Sequence, residues 1–90
     1  MTRLTETEIE THLARVPSWE RRGHEIRRTF AFAGFREAMA FVNRVADLAE
    51  AADHHPDIDV RYSKVTLVLS THDAGGLTAR DFALAESIGA

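Results

Sequence analysis

This 90-residue chain contains no cysteine. That absence excludes disulfides, thiolate catalysis and cysteine-held zinc or iron–sulfur centres. A basic surplus is also missing: 11 Lys and Arg stand against 14 Asp and Glu, a formal net charge of −3. Nucleic-acid binders usually carry the opposite balance, so no nucleic-acid partner is expected. No apolar run approaches the roughly 20 residues of a membrane span, and no membrane partner is expected. Met1-Thr2-Arg3-Leu4-Thr5-Glu6 has no apolar signal core, which makes a cytoplasmic location the default expectation. Proline is scarce; Pro17 and Pro56 are the two, and each punctuates an element. What remains is a chain with 44% apolar residues, ordinary for a globular protein. Residues 1–90 are expected to form one domain with one modest core.

The stretch from Glu50 to Asp81 holds three of the five histidines. Within it, Ile58, Val60 and Tyr62 alternate with Asp57, Asp59 and Arg61, and Val65-Thr66-Leu67-Val68-Leu69 follows. These predict two strands. A two-residue turn at Ser63-Lys64 would set Tyr62 opposite Val65 and His55 opposite His72. Directly opposed residues have Cβ atoms about 5 Å apart, so the histidines would gather at one end of a hairpin.

Elsewhere, Thr5-Glu6-Thr7-Glu8 reads as a capping box opening a helix of about ten residues. Trp19–Arg22 and Glu25–Phe32, joined by Gly23-His24, predict a second hairpin, with Ile26, Phe30 and Phe32 on one face. Gly34–Ala52 predicts the main helix, roughly 28 Å long. Its buried face would comprise Phe35, Met39, Val42 and Ala49 beside Ala38, Phe41, Val45, Leu48 and Ala52. Pro56 forces His55 out of helical geometry and opens the next strand. Thr78-Ala79-Arg80-Asp81 reads as a second capping box before a last helix carrying Phe82, Leu84, Ala85 and Ile88. The order helix-strand-strand-helix-strand-strand-helix favours an α+β fold: a four-stranded antiparallel sheet with helices on one face. Its edges would be open to self-association.

Three chemistries fit the histidine cluster. Two imidazoles facing one pocket can donate and accept protons near neutral pH, with carboxylates fixing their tautomers. Alternatively, His54 or His55 with His72 and a carboxylate could ligate a metal, although adjacent histidines usually point apart. The third reading is local: surface histidines at hairpin ends. Asp81, at the N3 position behind Thr78, is first of all a helix cap. Glu50, four residues before His54, could pair with it at the helix end. Tyr62 would more commonly be core than site, and His12 and His24 are assigned no role.

Glu50, His54-His55-Pro56, Tyr62, His72 and Asp81, at these spacings, resemble the signature of the pterin-4a-carbinolamine dehydratases. Ser70-Thr71-His72-Asp73, Arg80-Asp81-Phe82 and Phe35-Arg36-Glu37-Ala38 extend the likeness over nearly the whole chain. The resemblance implies dehydration of a 4a-hydroxytetrahydropterin to the quinonoid dihydropterin, in recycling the cofactor of aromatic amino acid hydroxylases. It implies no metal, no cofactor, and a homodimer or homotetramer. His54, His55 and His72 map onto the family's catalytic histidines, with acid and base drawn from His54 and His72 and with His55 orienting the ring. Glu50, Asp53, Pro56, Ser70, Thr71, Asp73, Arg80 and Asp81 would complete the substrate site. Ile58 departs from the pattern, since many relatives have Trp there, and an aromatic wall would be lost. Some animal members also help a transcription factor dimerise, so a small dimerising binding module without significant catalysis stands as the alternative.

Overall fold

The computed structural model describes residues 2–90; Met1, which the sequence reading includes in the domain, lies outside them. The elements run α1 (Glu6–Leu13), β1 (Glu20–Arg22), β2 (Glu25–Ala31), α2 (Phe35–Ala52), β3 (Asp57–Arg61), β4 (Lys64–Leu69) and α3 (Ala79–Ile88), with one 3-10 turn at His72–Ala74. All four strands pair antiparallel in the order β1-β2-β4-β3. This is the α+β arrangement that the alternation and helical stripes predict.

Local chemistry explains where the helices start. Thr5 caps α1 and Glu8 reaches back to the Thr5 N–H, closing the predicted capping box. Helix α1 is shorter than expected, with eight residues. The same reciprocal arrangement between Thr78 and Asp81 opens α3. Gly23, at φ +58, supplies the left-handed turn between β1 and β2.

The second hairpin turns one position earlier than predicted. Arg61 pairs with Lys64 and Val60 with Val65, so Tyr62 and Ser63 form the loop. Tyr62 adopts φ 54 and is 72% exposed, which corrects its reading as a core residue. A bulky side chain is uncommon in the left-handed region, so nothing in the residue type marks Tyr62 as a turn position. The slip is two residues, and each side chain therefore stays on its predicted face. The pairing of His55 with His72 is lost: the ladder ends at Asp57 and Val68, and both histidines lie beyond it.

Val65, Leu67 and Leu69 of β4 and Ile26 of β2 are fully buried beneath Ala38, Phe41, Val45 and Ala49 of α2. Two expected members of the α2 face differ. Phe35 is 51% exposed at the helix start, and Ala52 is exposed at its end. Trp19 is the predicted core anchor. Its indole N–H and the Arg28 guanidinium both donate to the Gly89 carbonyl, at 2.7 and 2.8 Å, tying the end of α3 to the first hairpin. At the other end of α3, Phe82 is buried and stacks on the ring of His12, 5.0 Å between centroids.

Candidate active site

The site begins where α2 stops. Asp53 takes the left-handed conformation (φ 50, ψ 43), which short polar side chains tolerate better than most. Its N–H donates to the Glu50 carbonyl and that of His54 to the Ala49 carbonyl, the paired bonds of a Schellman motif. This reversal separates the adjacent histidines. His54 turns inward and is 9% exposed, whereas His55 swings out over the last turn of α2. There His55 Nε2 lies 2.5 Å from Glu50 Oε2. Spacing alone allows Glu50 to pair with His54 or to contact a ligand; the left-handed residue gives the contact to His55 instead.

The inward histidine meets a buried carboxylate. His54 Nε2 lies 2.6 Å from Asp81 Oδ1, and Asp81 is 0% exposed. The other carboxylate oxygen, Oδ2, accepts the Thr71 hydroxyl at 2.9 Å and the Thr78 N–H at 2.9 Å. Asp81 is thus the helix cap the sequence suggests and, with the same carboxylate, the support of an imidazole. An ionised carboxylate only accepts hydrogen bonds, so Nε2 of His54 must carry a proton. Among the described residues, no buried side-chain nitrogen or oxygen lacks a partner.

Asp53, His54, His55, Ser70, Thr71, His72, Asp73 and Arg80 surround one open cavity of about 270 Å³. The two loops singled out in the sequence, 53–56 and 70–73, therefore do converge. Arg80 joins them because its guanidinium bonds the carbonyls of Ala52 and Asp53, at 3.2 and 2.7 Å, pinning the 53–55 loop to α3. His72 is exposed at the start of the 3-10 turn. Glu50, Pro56 and Asp81 do not line the cavity: Glu50 stands behind His55, Asp81 behind His54, and Pro56 is half-buried at the entry to β3. Ile58 is also outside the lining, 39% exposed on the edge strand beside Leu67. The sequence marks Thr78 only as a cap, yet its hydroxyl is 2.9 Å from that of Thr71. Its place in a capping box with a site carboxylate was the available signal.

Among the described residues, no three His, Asp or Glu side chains are grouped to hold a metal ion. The Nε2 atoms of His54 and His55 each face a carboxylate at hydrogen-bonding distance, a pattern suited to fixing tautomers.

A family model described as pterin 4 alpha carbinolamine dehydratase matches residues 2–90. A protein of Thermomicrobium roseum is 57% identical over 98% of this chain and 95% of its own length. One from Chloroflexus aurantiacus is 60% identical over 98% and 95%. Both carry the name "Putative pterin-4-alpha-carbinolamine dehydratase". The crystal structure of a transcriptional coactivator/pterin dehydratase from Brucella melitensis superposes with a TM-score of 0.92 at 34% identity, covering 97% of this chain and 95% of that one. A pterin dehydratase-like protein identified as a RuBisCO assembly factor in the alpha-carboxysome shares the fold, with a TM-score of 0.63 at 22% identity over 78% of this chain and 81% of its own. The chain belongs to the pterin-4a-carbinolamine dehydratase family.

Proposed function

We propose that this protein dehydrates a 4a-hydroxytetrahydropterin to the quinonoid dihydropterin, in the recycling of a hydroxylase cofactor. The observation that carries the reading is the cavity bordered by His54, His55 and His72, with His54 backed by a buried carboxylate. Hydroxide is a poor leaving group, so the oxygen at C4a must depart as water. One imidazolium gives it a proton. A ring nitrogen lone pair forms the new C=N bond as the C–O bond breaks, and the N–H proton on that nitrogen passes to a base. The atoms balance as quinonoid product plus one water.

The two partners differ in surroundings. His54 stands against Asp81, whose negative charge stabilises the imidazolium that forms when His54 accepts a proton. That suits it to the base role. His72 is exposed at the cavity, within reach of a leaving oxygen and of solvent, and suits the acid role. His55, held by Glu50, orients the ring. Asp53, Ser70, Thr71, Asp73 and Arg80 line the same space and offer the polar contacts a pterin needs. No step in this scheme calls for a metal or an organic cofactor. Homo-oligomerisation and a cytoplasmic location go with the family reading.

The test is a direct dehydration assay on enzymatically generated carbinolamine. Acceleration by the wild type that His54→Ala and His72→Ala each diminish supports the proposal. A folded wild type that leaves the spontaneous rate unchanged would refute it. One observation favours a second reading: the Brucella melitensis relative is described as both a transcriptional coactivator and a pterin dehydratase. An inactive but dimeric protein would put the binding-module reading first.

A further inference from the structure

The Asp81 carboxylate sits at the end of a chain of hydroxyls, and the direction of every proton in it can be worked out. Oδ2 of Asp81 accepts from the Thr71 hydroxyl. Thr71 has one hydroxyl proton, and that contact uses it. Its 2.9 Å contact with the Thr78 hydroxyl must then run the other way, with Thr78 donating. Thr78 Oγ1 in turn accepts the Arg80 N–H at 3.3 Å. Thr71, Thr78 and Asp81 are 6%, 1% and 0% exposed, so solvent offers little competition for these bonds.

We infer that Thr78, acting through Thr71 and Asp81, is a positioning residue that fixes the proton of neutral His54 on Nε2 and thereby makes Nδ1 its reacting atom. The chain runs one way: Thr78 Oγ–H to Thr71, Thr71 Oγ–H to Asp81 Oδ2, His54 Nε2–H to Asp81 Oδ1. Oδ2 meets only donors, namely the Thr71 hydroxyl and the Thr78 N–H. That arrangement holds the carboxylate plane and presents Oδ1 to the imidazole. Thr71 lines the cavity, but its proton is committed to Asp81 and is not available to substrate. Nδ1 of His54 takes no hydrogen bond from any described side chain and is not among buried atoms left without a partner, so it retains solvent access, and His54 borders the cavity. The inference rests on the dehydratase reading for its kinetic consequence, but its structural core does not.

The experiment pairs nitrogen-15 NMR of the imidazoles, which needs no substrate, with the dehydration assay. In alkaline solution, wild-type His54 should carry its proton on Nε2. Asp81→Asn should reverse it. Thr71 and the Thr78 N–H demand an oxygen at the Oδ2 position, which turns the amide NH₂ toward Nε2 and drives the proton to Nδ1. Dehydration by Asp81→Asn should fall on the order of 10²–10⁴-fold, the range of a lost acid–base group. Thr78→Val keeps the backbone N–H but removes the hydroxyl. It should lower kcat about tenfold with KM unchanged, as loss of an outer supporting contact typically does. Thr78→Ser, which restores the hydroxyl, should recover the wild-type rate. A wild-type His54 protonated on Nδ1 overturns the inference, and so does a folded Thr78→Val with unaltered kcat. If the tautomers behave as described but no variant or wild type dehydrates a pterin, the proposed function fails while the proton arrangement stands.

Discussion

His54 and Asp81 lie 27 positions apart in sequence, yet their side chains meet at 2.6 Å inside the protein. The contact joins the end of α2 to the start of α3. Removing one member of a buried, hydrogen-bonded pair usually costs about 3–5 kcal/mol, because the other is left uncompensated. Asp81→Ala should therefore lower stability by about 3 kcal/mol, well above the ~1 kcal/mol of a lost helix cap. It should also slow dehydration. Urea denaturation measures the first effect, and a loss of 1 kcal/mol or less would mean that Asp81 acts only as a cap.

His72 should behave differently. It is exposed and makes no side-chain hydrogen bond among the described residues. His72→Ala should leave stability within about 0.5 kcal/mol of wild type while slowing turnover on the order of 10²-fold. Combining it with His54→Ala should bring the rate close to the uncatalysed background. Thermal melts beside initial rates give both readings; a fully active His72→Ala would remove this residue from the mechanism.

The outer pair predicts a binding effect. Glu50 and His55 side chains are 75% and 58% exposed, and such pairs contribute roughly 0–1 kcal/mol to stability. Glu50→Gln and His55→Ala should thus melt near the wild-type temperature. Their effect should appear in KM, with kcat changed less. The reverse split, with kcat collapsing at constant KM, would assign His55 to proton transfer.

Much of this was legible beforehand, and the reasons differ by element. Both capping boxes were read directly, because their partners lie three residues apart and involve backbone geometry common to all helices. The long amphipathic stretch announced α2, although an apolar stripe says nothing of where the sheet beneath ends, so Phe35 and Ala52 were overcounted as buried. The two loops that the family resemblance singles out, 53–56 and 70–73, do border one cavity through residues 53–55 and 70–73. The links between them were not legible. Nothing local tells that Asp81 will face His54 or that Arg80 will bond the carbonyls of Ala52 and Asp53; these contacts follow from docking α3 against α2. The turn was displaced because Tyr62 occupies a conformation for which its residue type gives no cue.

Asp53 offers a test of the α2 stop. At φ 50 a residue with a Cβ pays a left-handed penalty of about 1–2 kcal/mol that short polar residues partly relieve. Asp53→Ala should destabilise by about 1 kcal/mol, and Asp53→Gly should be neutral or stabilising. Asp53→Ala should also disturb the diverging directions of His54 and His55. Calorimetry of the two variants decides the point; an Asp53→Ala protein more stable than Asp53→Gly would contradict it.

The cavity draws its wall from residues 53–55, 70–73 and 80, three stretches that come together only when the hairpin is paired and α3 is seated. None of the three stretches contains it alone. The proposed dehydration is therefore expected to report cooperative assembly: under rising denaturant it should vanish in step with the burial of Trp19, which sits at the far end of α3 and is held there through Gly89. No half-formed version of the cavity should outlast the seating of α3, so the two are expected to be lost together.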